Sequence, residues 1–145
     1  GTLNPPTNTN TIDAAIALCS TATLDKSTPA GAGYGMPKVA VKAAALSLPV
    51  QKYGRTTSRT TAKVSGINGA VNVGYDGGVA LFVGQIFITK GGFSAGGDSG
   101  SLIVVNGGAD TRKPVALLFA GSSSTTIGNP IGLVLAEFGV SVDGE

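Results

Sequence analysis

An all-β domain is what this sequence predicts, and three observations carry the prediction. Short apolar or alternating runs recur along the chain, and glycine clusters and two-residue turn signals separate them. Charged residues make up only 12% of the 145 residues, about half the usual share. With 23 glycines and no tryptophan, the composition is that of one glycine-turned domain long enough to bury a core.

The opening stretch 1–12, GTLNPPTNTNTI, is polar and carries two prolines, so it reads as an extended arm or exposed loop. Residues 13–24, DAAIALCSTATL, turn apolar. Helical spacing is open to Ala14–Leu18, but the run is short and the threonines after it favour a strand. Glycine and proline then crowd into 25–37, which marks a linker. Strand-like runs follow at Lys38–Leu48, Val50–Tyr53, Thr60–Val64, Val71–Tyr75, Val79–Thr89, Leu102–Val105 and Val115–Phe119. Asn68-Gly69 and Asp76-Gly77 are tight-turn pairs between such runs. Near the end, Asn129 is placed to cap a helix with Pro130 at its first position, over roughly 130–138, and Gly139 stands where a helix stops.

Composition excludes several chemistries. The net charge of +2 with dispersed basic residues leaves no footprint for nucleic acid. No apolar run is long enough for a membrane-spanning helix, and no charged-then-apolar leader opens the chain. The histidine count is zero, so no histidine of this chain acts as base, metal ligand or pH switch. One cysteine and no histidine leave no zinc site, and no metal or organic cofactor is expected. Cys19 lies in an apolar run and reads as a buried small hydrophobe rather than a nucleophile.

The chemistry-bearing stretch is Gly96-Gly97-Asp98-Ser99-Gly100-Ser101-Leu102. A serine hydroxyl is a weak nucleophile and must be held out on a tight turn. Flanking glycines permit such a turn and let a substrate carbonyl approach the backbone. The amides of Gly97 and Ser99 are then placed to meet a developing oxyanion. The same residue types also make ordinary inter-strand turns, and the motif alone leaves both readings open.

The order of landmarks resembles the bacterial chymotrypsin-like serine peptidases of the streptogrisin and α-lytic type. Gly54-Arg55-Thr56-Thr57 with Thr60 is similar to that family's GRTTG-x-T opening, with Ser58 in place of the glycine. Val64–Val73 resembles the hairpin that follows, and GGDSGSL resembles the nucleophile loop, with Ser101 where a second glycine is common. Leu135–Val142 resembles the terminal helix and final strand. Asp13-Ala14-Ala15-Ile16-Ala17-Leu18 resembles the segment that opens on the triad aspartate, although Asp13 also reads as a plain strand-start residue.

The resemblance implies a trypsin-like two-barrel fold. This chain would hold the second six-stranded β-barrel and C-terminal helix (38–145), an inter-barrel linker (26–37), and an arm with the last strand of the first barrel (1–25). It implies a serine endopeptidase acting through an acyl-enzyme. Ser99 would be the nucleophile, Asp13 the orienting carboxylate, and the amides of Gly97 and Ser99 the oxyanion hole. The histidine would come from an N-terminal fragment of the same protein, bound as a partner, so this chain alone would be inactive. Phe93 would floor the primary specificity pocket, and small or medium apolar side chains would fit; as a core aromatic it would have no such role. Phe119, Ala120 and Gly121 would line the substrate strand, with Phe119 where the family carries a serine bonded to the aspartate. Lys42 and Lys90 are the cations available to replace histidine, but neither has a context that singles it out. The alternative is a non-catalytic, protein-binding module that keeps the barrel.

Overall fold

The computed structural model describes residues 9–20, 22 and 24–145; the first eight residues of the expected arm, with Thr21 and Thr23, lie outside the described residues. Seven strands form one antiparallel sheet: β1 (Pro49–Gly54), β2 (Ser58–Lys63), β3 (Gly66–Tyr75), β4 (Gly78–Thr89), β5 (Leu102–Val105), β6 (Pro114–Gly121) and β7 (Thr125–Pro130). Their order is β2-β1-β5-β6-β7-β4-β3. The helix α1 (Ile131–Phe138) follows and packs on β6 and β7. No ladder joins the two edge strands, yet β2 and β3 are consecutive, parted only by Val64 and Ser65. Counted as one bent strand they make six, and that strand supplies both edges of the sheet. At the bend, the Ser65 amide donates to the Phe87 carbonyl of β4 at 2.8 Å.

One apolar core fills the wound sheet. Val50, Ile86, Ile88, Ile103, Val105, Val115, Ala116 and Leu118 point inward from β1, β4, β5 and β6, joined by Val64 and Phe93. Interior burial of this kind supplies the main driving force of the fold. Asp76-Gly77 makes the two-residue β3–β4 turn, as its residue types require.

Several local expectations give way to tertiary packing. Asn68-Gly69 is a bulge inside β3 rather than a turn: Asn68 has a φ of 53°, and the pairing slips on either side of Gly69. The Phe87 ring lies so close over Gly69 that any side chain there would overlap it. Lys38–Leu48 and the described part of 13–24 form no strand, because neither run finds a neighbouring strand to ladder with. An isolated parallel bridge from Asn10 to Phe82 is the nearest the arm comes. The helix starts on Pro130, not on a capping Asn129, whose side chain is fully buried elsewhere. Gly139 ends it in the left-handed conformation, with the Val140 amide bonded to the Leu135 carbonyl at 3.1 Å. No strand follows; instead Glu145 exchanges backbone bonds with Pro37 and Val39 at 3.0 and 3.1 Å. The glycine-rich stretch after Lys26 closes on itself, with Thr28 Oγ1 accepting from the amides of Tyr34 and Gly35. Burial in that loop pushes the Tyr34 hydroxyl up to about 12.

Candidate active site

The loop between β4 and β5 turns on a buried carboxylate. Asp98 is 1% exposed. It accepts hydrogen bonds from the amides of Thr56 (2.8 Å), Thr57 (3.2 Å) and Ala95 (3.1 Å), and from the Thr57 hydroxyl at 2.6 Å. Burial by itself would raise its pKa; the bonds from Thr57, Thr56 and Ala95 outweigh that and hold the carboxyl well below the usual range. Lys52, wholly buried in β1, brings its ammonium to 3.4 Å from Asp98. That ammonium also donates to the Thr57 hydroxyl and, at 2.9 Å, to the Ser58 carbonyl. Burial lowers the lysine's pKa, and Asp98 works against that shift.

This anchoring sets which amides of the turn remain free. Asp98 N–H donates to the Ala95 carbonyl, Gly100 N–H to Leu118 and Ser101 N–H to Asp98. Among the described residues, the amides of Gly97 and Ser99 have no such acceptor. Gly97 has a φ of +95°, and a side chain there would overlap the Arg55 guanidinium. Ser99 is exposed, and its hydroxyl donates weakly to the Phe119 carbonyl at 3.4 Å. The loop thus presents an exposed serine hydroxyl beside two backbone N–H groups without acceptors.

A cavity of about 440 Å³ opens beside Ser99, walled by Ser94, Ala95, Leu118, Ala120, Gly121 and Ser122. No charged side chain lines it. Ser94 and Thr126 share a hydroxyl–hydroxyl bond of 2.5 Å. Phe93 is not its floor: the ring is 0% exposed within the core, and the next residue turns outward to the cavity. Ala120 and Gly121 do line it, while Phe119 sits at a bulge in the β6–β7 pairing. The Phe119 ring packs against Phe82 with centroids 5.0 Å apart.

Asp13 is carried by an arm docked on β4 and β7. Asn10 exchanges backbone bonds of 2.9 Å with Leu81 and Val83, and the buried Gln85 amide donates to the Thr11 carbonyl at 2.9 Å. Asn129 then clasps Asp13 from both sides. Its carbonyl oxygen accepts the Asp13 amide at 3.1 Å and its NH₂ donates to the Asp13 carbonyl at 2.8 Å. The Tyr75 hydroxyl donates to Oδ2 of the carboxylate. Asp13 and Ser99 make no direct bond to one another.

Beyond Asp13 the described arm leaves the body: Ile16, Leu18 and Leu24 are exposed, and Cys19 is exposed rather than buried, because the body of this chain does not pack over that stretch. Lys42 pairs with Asp110 at 2.7 Å and Lys90 donates to the Thr61 carbonyl, so neither meets Ser99. Sequence reasoning missed Lys52, Tyr75 and Asn129. For Lys52 a signal existed: a charge inside a strand followed by the nucleophile motif's own aspartate invites a buried pair.

No protein-family model matches the chain, and no curated protein matches it by sequence. Solved structures do match. One, described as a glutamic acid specific serine protease that utilizes a novel histidine triad in substrate binding, is 25% identical with a TM-score of 0.58 over 82% of this chain and 63% of its own. Thermobifida fusca Protease A matches at 20% identity and a TM-score of 0.67, over 87% of this chain and 65% of its own. The chymotrypsin of Cellulomonas bogoriensis matches at 23% and 0.59, over 75% and 57%. The chain therefore has the fold of the C-terminal domain of bacterial chymotrypsin-like serine proteases, and it spans less than two thirds of the length of these neighbours.

Proposed function

We propose that this chain is the nucleophile-bearing part of a serine endopeptidase. Ser99 Oγ attacks the scissile carbonyl carbon while its proton passes to a histidine. The amides of Gly97 and Ser99 stabilise the oxyanion. The carbon–nitrogen bond then breaks, the amine leaves with that proton, and water hydrolyses the acyl-enzyme. The single observation that carries this reading is the pair of unsatisfied amides, of Gly97 and of the exposed Ser99 itself, on a turn locked by Asp98.

The base belongs to a partner in this reading. The chain has 0 histidines, and its apolar arm residues stand uncovered. An N-terminal barrel of the same protein would cover them and place its histidine between Asp13 and Ser99. The domain division 1–25, 26–37 and 38–145 belongs to the same proposal. The uncharged cavity beside Ser99 favours peptides with a neutral side chain before the cleaved bond, because a buried charge there would find no counter-charge. The glutamate-specific neighbour uses a histidine triad for its substrate, a device this chain does not have.

The absence of histidine also favours the alternative, a non-catalytic binding module. One experiment separates them. The protein together with its N-terminal part is treated with a serine-directed phosphonate, and Ser99→Ala serves as control. Labelling at Ser99 with hydrolysis of neutral peptides supports the peptidase; an intact complex that neither labels nor cleaves supports the module. Comparison of native and denatured mass shows whether a second, histidine-containing chain accompanies this one.

A further inference from the structure

The Tyr75–Asp13 bond joins residues that nothing in the sequence pairs, and the peptidase reading makes no use of it. Tyr75 ends β3 at the hairpin tip, and its hydroxyl donates to Oδ2 of Asp13. Asn129 occupies only the backbone amide and carbonyl of Asp13. Among the described residues, Oδ1 has no donor and stays open to an incoming ring N–H. The tyrosine ring is itself braced: Phe119 packs on Phe82, and Phe82 on Tyr75 with centroids 6.4 Å apart. Phe119 has no side-chain donor to offer the carboxylate.

Resting on the peptidase reading, we propose that Tyr75 is a positioning residue, which fixes the rotation of the Asp13 carboxylate so that Oδ1 faces the histidine. Tyr75 does this as a permanent donor. Burial first, and then the hydrogen bond and charge of Asp13, push its pKa far above the ordinary tyrosine value, so it stays protonated across any working pH. A charge-assisted bond to a carboxylate is among the stronger neutral-donor contacts and is directional. Without it the carboxylate would be held by its backbone alone and would rotate.

The test has two readouts. In the 145-residue chain, carbon-13 NMR of the tyrosine Cζ resonances is followed against pH, with Tyr75→Phe assigning the signal. Asp13→Asn is expected to shift the Tyr75 resonance and let it ionise at lower pH; an unchanged resonance and titration would overturn the proposal. In the protein completed by its N-terminal part, Tyr75→Phe is expected to lower kcat about ten-fold with KM unchanged. A merely structural tyrosine would lower thermal stability and leave kcat per folded molecule as it was, and that result overturns the positioning role. If the completed protein hydrolyses no peptide at all while the NMR shift is present, the peptidase reading falls and takes the catalytic role of Tyr75 with it, leaving the bond as structure only.

Discussion

The loop bearing Ser99 and the arm bearing Asp13 are held in opposite ways. The loop is pinned from inside: a buried carboxylate takes four hydrogen bonds and faces a buried ammonium. The arm is pinned from outside, at Asn10, Thr11 and Asp13, and beyond that it runs exposed. The Ser99 loop is held by groups of this chain alone, whereas the apolar side chains of the arm after Asp13 are exposed. The division mirrors the proposed chemistry, in which the serine and the oxyanion donors are local and the base is not.

The largest effect that would break this comparison is at the loop's anchor. Asp98→Ala leaves Lys52 buried without its counter-ion and is expected to cost about 3–5 kcal/mol, read by chemical denaturation. A loss under about 1 kcal/mol would mean that the loop is not anchored through Asp98. Next comes the arm's clasp. Asn129→Ala removes both bonds to the Asp13 backbone and is expected to cost about 1–3 kcal/mol, with faster hydrogen exchange at the Asp13 amide. Exchange unchanged there would show that the clasp is not what docks the arm.

A pH series sharpens the contrast further. The carboxyl of Asp98 titrates below its unfolded value in the fold, so its stabilising contribution is complete above about pH 4 and is lost as pH falls through and below that point. The melting temperature should therefore drop on acidification, and the drop should be shallower in Asp98→Asn. Asp110, lowered to about 2 by bonds from Lys113 and Lys42, adds to the same slope, but its exposed pairs are weakened by salt and Asp98 is not. The smallest expected effect is at the free end of the arm. Leu18→Ser should change the stability of this chain by less than about 0.5 kcal/mol, since the side chain is already in solvent. If the proposed N-terminal barrel binds this arm, Leu18→Ser should nevertheless weaken that binding in a titration; equal affinity would remove the arm from the proposed interface.

What could be read from the sequence follows the range of the forces involved. Strands β1 to β6, the Asp76-Gly77 turn, the glycine stop of the helix and the serine turn depend on neighbours in sequence and were legible, whereas β7 (Thr125–Pro130) lies where the sequence suggested only a helix start. Asn68-Gly69 has the chemistry of a turn, but a ring from β4 decided its geometry. Lys38–Leu48 alternates like a strand yet lacks a partner to pair with, a fact no local pattern contains. The resemblance puts Phe93 at the floor of the specificity pocket, yet it lies in the core and Ser94, one residue on, lines the cavity. Tyr75 and Asp13 meet only because the β3–β4 hairpin reaches over the docked arm, and their types alone predict no bond.

The strand order sets a schedule for assembly. β1 with β2, and β3 with β4, are hairpins of consecutive strands, so each can pair as soon as its second strand is made. The remaining strands, β5 to β7, emerge later and insert between β1 and β4, in the middle of the sheet. The serine turn leads into β5, and its aspartate must find the β1–β2 turn at Thr56 and Thr57. The Ser99 turn therefore takes its final shape only when the two hairpins and the late insert have met, so an incompletely made chain cannot present it.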